Sequence, residues 1–132
     1  MLDVTRRELE KAYHRHRDHY EGCLSHPHRL LLVYCVECGL KALLMQLHRV
    51  DRYNDLPPQS QVNHDLRAAL MLLGAPGSLS IRQTTTTHNR APQQCVTPGE
   101  LHQAFRYGIP IEPETEIVGD LRAVVTWIEG RL

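Results

Sequence analysis

The chain has 132 residues, 42% of them apolar, and its 15 basic and 15 acidic side chains leave a formal charge of zero. That length suits one domain able to bury a core without disulfide staples. The charge balance excludes a protein held to nucleic acid by a large uniform positive field and leaves room only for local basic patches.

The first element expected is a helix over residues 3–20. Thr5 and Glu8 have capping-box spacing, and Asp3 is a second candidate cap. Its apolar stripe, Val4, Leu9, Ala12, Tyr13 and Tyr20, is thin. Most of its surface should face water or a partner. Ser25 or His26 caps a second helix, with Pro27 in the first turn, where its missing N–H is harmless. This helix should reach about residue 49. Apolar residues between Leu30 and Leu47 cover much more than one face, as in the buried centre of a bundle or a subunit interface. Glu37, Lys41 and Gln46 interrupt the run, which argues against a membrane span.

Residues 51–63 are polar with Pro57-Pro58 and read as a loop. Asn63 is placed to cap a third helix over residues 64–73, and Gly74 to end it. Residues 75–96 show no helical period and read as a long loop. Thr97, Pro98 and Glu100 restart a short helix ending near Phe105. Residues 107–113 form an extended turn. A last helix over residues 114–130 buries Ile117, Leu121, Val124, Val125 and Ile128. The expected fold is therefore all-α over residues 1–132: an up-down bundle of about four main helices plus one short helix, with a long loop before the C-terminal part. The chain start does not resemble a signal peptide, and the four cysteines lack disulfide-framework spacing, so a reducing cytoplasm is the expected setting.

At Glu37-Cys38-Gly39-Leu40-Lys41-Ala42-Leu43-Leu44 a long apolar helix carries an E-C-x-L-K-A-L-L run. His64-Asp65-Leu66 supplies an H-D-L element at the start of the third helix, and Arg106-Tyr107 precedes the final amphipathic helix. In this order, over roughly residues 10–130, the three elements resemble the HEPN superfamily. The resemblance implies an up-down helical bundle that commonly forms homodimers. Many members are RNases acting as toxins or in phage defence, and others are non-catalytic RNA-binding or interaction modules. Active members carry an arginine followed four to six residues later by a histidine. Arg82 and His88 have similar spacing after the third helix. Histidine can move the 2′-OH proton while arginine holds the phosphate. Gln83 departs from the Asn, Asp or His usual after that arginine, and residues 84–87 are all threonines, which disfavour a rigid helical turn.

Two further groups stand out. Glu37 and Lys41 have the favourable helical order for an ion pair. As polar groups on an apolar helix they could join His64, Arg106 and Tyr107 in one network, either structural or lining a nucleotide or phosphate pocket. Helix one carries Arg6, Arg7, Lys11, Arg15 and Arg17, with His14, His16 and His19 among them, against Asp3, Glu8, Glu10, Asp18 and Glu21. It is either a mixed solvated face or a phosphate-contacting surface that strengthens as the histidines protonate.

His14, His16, His19, Cys23, His26 and His28 crowd one region without forming a convincing ligand set, and Cys35-x-x-Cys38 lies inside a helix rather than on a knuckle. No metal and no cofactor is expected. The leading expectation is an inert HEPN-like module that binds RNA or a protein. It would act as a homodimer or within a larger complex, with an operon-encoded protein as one candidate partner and no membrane. The rivals are a metal-independent RNase using Arg82 and His88, and a structural subunit of an assembly.

Overall fold

The computed structural model describes residues 3–20, 26–87 and 92–132, except the side chains of residues 19, 20 and 26–28. Its centre is α2 (His26–His48), against which α1 (Arg6–Tyr20), α3 (Leu66–Leu72), α4 (Leu101–Arg106) and α5 (Glu114–Glu129) all pack. The cause is the all-round apolarity of α2. Leu32, Val33, Val36, Leu40, Leu43, Leu44 and Met45 are buried on several sides of it. By length and composition alone the stretch Arg29–His48 could cross a membrane, but most of it is buried inside the fold, as in a core helix.

Helix α1 begins where the sequence indicates. Thr5 N donates to Glu8 Oε2 at 2.9 Å, and Glu8 N to Thr5 Oγ1 at 3.2 Å, a reciprocal capping box. Asp3 caps nothing. Its Oδ1 accepts from Asn54 N at 3.0 Å and ties the segment before α1 to the turn Tyr53–Asp55. Two main-chain bonds, Arg6 N to Asp51 O and Tyr53 N to Val4 O, fix the same junction. Ser25 and the side chain of His26, the two expected caps of α2, lie outside the described residues.

Gly39 allows α1 and α5 to approach α2 closely. A Cβ at this position would sit 2.8 Å from Tyr13 Cδ1 and 2.9 Å from Ile128 Cδ1. Across the same junction, Tyr13 Oη donates to Val125 O at 3.4 Å and Arg17 pairs with Glu129. Arg29 pairs with Glu114 and holds the start of α5 to α2.

The third helix is shorter than its apolar period implies. Asp65, not Asn63, is the N-cap, with Oδ1 accepting from Ala68 N at 3.1 Å. Asn63 has φ +54°, outside the extended region an N-cap occupies, and its N–H donates to Tyr53 Oη at 3.1 Å. Gly74, at φ +67°, follows α3 in the left-handed conformation that only glycine adopts freely.

The largest departure from the all-α expectation lies in the supposed long loop. The protein is mostly helical, but it also contains a three-stranded antiparallel sheet of order β2-β1-β3. The strands are β1 (Thr84–Thr86), β2 (Cys95–Val96) and β3 (Ile111–Glu112). Thr84 pairs with Val96 and Thr85 with both Cys95 and Glu112, while Thr86 pairs with Ile111. The physical reason is in the threonines. Their β-branched side chains fit a pleated surface, and they alternate, with Thr84 and Thr86 buried and Thr85 exposed. A second capping box, Thr97 with Glu100, then opens the turn Pro98–Glu100 that runs into α4.

Candidate functional site

On α2, a run of apolar residues is interrupted by Glu37 and Lys41, one turn apart and both buried. Charges cannot be left alone in such a place. Lys41 Nζ lies 3.0 Å from Glu37 Oε1, and His64 Nδ1 donates to the same oxygen at 2.6 Å. His64 reaches it because Asn63, left-handed, turns the chain immediately before the Asp65 cap of α3. With the carboxylate as acceptor, Nδ1 carries the donated hydrogen and one edge of the ring is held. The His64 side chain is 53% exposed, whereas that of Glu37 is 9% exposed. A buried acid thus orients a surface imidazole.

One face of the His64 ring is turned to His102 of α4. The two rings stack with centroids 4.2 Å apart. Burial, the neighbouring His64 and the charge of Arg106 all push the His102 pKa down. Glu37 and a hydrogen bond with the Gly99 backbone oppose them without cancelling them. On the inner side, Lys41 Nζ lies 5.3 Å from the centre of the Tyr53 ring, a cation–π contact. Cys38, beside Glu37, is half-buried. Burial first, and the Glu37 charge second, raise its thiol to about 11 against the opposing effect of Lys41, so it is held as an inert thiol.

Of the five residues expected to form one network, the structure joins Glu37, Lys41 and His64. Arg106 and Tyr107 stand outside it. Helix α4 buries Leu101, Ala104 and Phe105, and this phase turns residues 106 and 107 to solvent. Tyr107 is 69% exposed, and Arg106 acts on the cluster through its charge on His102. Sequence reasoning missed His102 and Tyr53. The one available signal was that His102 lies a single helical turn before Arg106.

Arg82, just before β1, is engaged elsewhere. Its Nε and Nη2 donate to the two Asp120 oxygens at 2.8 and 3.0 Å, and its own N–H donates to Oδ2 at 3.1 Å. Burial pushes the Asp120 carboxyl up, but the Arg82 hydrogen bonds and charge outweigh it and hold the group below its usual range. His88 lies outside the described residues. On α1, Arg6 lies 3.6 Å from Glu10 and Arg17 reaches Glu129 at 2.6 Å. Arg7, Lys11 and Arg15 are exposed and spaced by four, which places them along one line of the helix.

Cys23 and the side chains of His19, His26 and His28 also lie outside the description. Among the described residues no group of three or more His, Cys, Asp or Glu is placed to share a metal ion. No family model, curated protein or solved structure matches this chain.

Proposed function

We propose that this protein is a catalytically inert HEPN-like helical module that binds single-stranded RNA on the face carrying His64, His102 and Arg106, as a homodimer or within a larger assembly. One observation carries the reading. An exposed imidazole is locked in place by a buried carboxylate and stacked on a second imidazole, with an arginine one helical turn further on. Flat rings that accept stacked bases, beside a cation that tracks the phosphate backbone, are the chemistry of sequence-tolerant single-strand recognition. The convergence of Glu37, Lys41 and His64 supports the family resemblance, since these residues come from two of the three motif elements that suggest it.

The ribonuclease alternative has less behind it, because the Arg82 guanidinium is already committed edge-on to Asp120. The test is fluorescence anisotropy of a labelled single-stranded RNA, read across about 50–200 mM salt. Binding should weaken as salt rises, and His64→Ala with Arg106→Ala should reduce affinity about tenfold or more. The RNA should remain intact. No binding at low salt, or full binding by the double variant, would overturn the proposal. Cleavage that disappears in His88→Ala would replace it with the ribonuclease.

A further inference from the structure

Helix α2 turns a different side to a second feature that the RNA reading does not use. Leu43, Gln46, Leu47 and Arg49 at its C-terminal end, with Leu73, Trp127 and Arg131, line an open groove of about 390 Å³. At 3.6 residues per turn, Leu43 and Gln46 fall on the side of α2 away from Glu37 and Lys41. The two sites share no residue. Leu47 is 58% exposed, and Leu72, beside Leu73 in the chain, is 39% exposed.

The rim carries charge of one sign. Among the described residues, Arg49 and Arg131 line the groove and no carboxylate does. Arg49 stands at φ +56°, where the chain leaves α2, and has no ion pair among the described residues. The Arg131 guanidinium lies 4.2 Å from the centre of the Trp127 ring, and its Nη1 donates to Trp127 O at 3.0 Å. Gln46 Nε2 donates to Arg131 O at 3.4 Å. The Trp127 indole N–H is covered and lacks an acceptor among the described residues.

We propose that this groove docks an amphipathic helix of a partner protein, with apolar anchors one turn apart and acidic residues flanking them. The apolar floor has room for a pair of leucine-type anchors, the usual footprint of helix-in-groove recognition. The arginine rim selects acidic flanks, because a basic helix would meet like charge as it loses water. A lipid surface fits less well. Two cations are fewer than the cluster of about four to eight that anchors a protein to anionic headgroups.

Trp127 is the only tryptophan in the chain, so its emission reports directly on this groove. The full chain is titrated with a synthetic helix carrying Leu at i, i+3, i+4 and i+7 and Glu on the flanks, and with the same helix carrying Lys in place of Glu. The acidic helix should shift Trp127 emission to the blue and saturate, and the basic helix should not. Leu47→Asp, at an exposed position, should weaken binding by about tenfold. Arg49→Glu with Arg131→Glu should reverse the preference between the helices, measured by anisotropy of a labelled helix because Arg131 itself touches the indole. Circular dichroism of each variant separates lost binding from lost folding. Equal binding of the two helices, an unaltered preference in the charge-reversed variant, a shift with anionic vesicles and not with the helix, or concentration-dependent self-association that buries Trp127 would each overturn the proposal.

Discussion

Replacing Glu37 by Gln is the sharpest single perturbation of this fold. The substitution keeps the shape and removes the charge. One carboxylate oxygen serves two partners, Lys41 at 3.0 Å and His64 at 2.6 Å, and their burial decides what each is worth. The Lys41 and Glu37 side chains are 6% and 9% exposed, so removing the acid leaves a buried ammonium without its anion, a change that costs about 3–5 kcal/mol in comparable cases. His64 is half in solvent, and its share is that of a surface pair, about 1 kcal/mol or less. Lys41 keeps the Tyr53 ring and further contacts in the fold, which draws the total toward the lower end of that range.

The expected loss for Glu37→Gln is therefore about 3 kcal/mol, a large part of the roughly 5–15 kcal/mol that holds a domain together. Removing both charges should cost far less. Apolar replacements of similar volume are often neutral for a buried pair, so Glu37→Leu with Lys41→Met should recover most of the stability. Urea unfolding followed by Trp127 fluorescence and far-ultraviolet circular dichroism measures all three proteins. A Glu37→Gln loss below about 1 kcal/mol, in the range of solvated pairs, would refute the argument. So would a double variant less stable than the single one.

Two further outcomes follow from close packing and from His102. Gly39→Ala gains about 1 kcal/mol of helix propensity. It also drives a methyl group to within 2.9 Å of Tyr13 and Ile128, both fully buried, and overpacking of this kind costs about 1–3 kcal/mol. Net destabilisation is expected in thermal unfolding, and it should be smaller when Ile128→Val removes one of the clashing carbons; a stabilised Gly39→Ala would show that the helices can part. His102 has a folded-state pKa below its unfolded value of about 6.5, so the unfolded chain binds the extra proton first. Its contribution to stability is complete above that value and is lost as pH falls through the lower, folded-state value. Stability measured from about pH 7 down to pH 5 should fall less steeply in His102→Gln than in the wild type; identical slopes would remove His102 from the proton balance.

What could be read from the sequence was local. The capping boxes at Thr5 and Thr97 involve residues three apart, and Gly74 needs only its own backbone freedom, so each is visible in a short window. The buried α2 was also legible, because apolarity on every side of a helix has few other meanings. The sheet was not. Its strands are two or three residues long, too short to show alternation, and Thr85 finds partners at residues 95 and 112, which no local pattern connects. In the sequence the threonine run shows only as a poor helix former, although the same β-branching favours a strand. Within the site, the pair Glu37 and Lys41 follows from spacing, and His64 from the need of a buried acid for partners. Arg106 was placed in the network and His102 left out because sequence order does not reveal which side of a six-residue helix faces inward. The phase of α4 is set by Leu101, Ala104 and Phe105 entering the core.

The buried pair and the exposed imidazole make most sense together. A Glu–Lys pair inside an apolar helix adds little net stability over the leucine and methionine that could replace it, so its value lies in what it positions. Here the same carboxylate oxygen that neutralises Lys41 fixes the His64 ring, and His64 fixes the stacking partner on α4. One atom thereby ties α2 to the segment that leads into α3. Stability and recognition should then separate in the double variant Glu37→Leu with Lys41→Met. Its core can be as sound as the original, yet His64 has lost the acceptor that orients it. A protein that unfolds at nearly the original urea concentration but has lost most of its affinity for RNA would mark the pair as a positioning device. One that keeps both would show that α2 and the stacked rings set the face by themselves, leaving the carboxylate without a part in recognition.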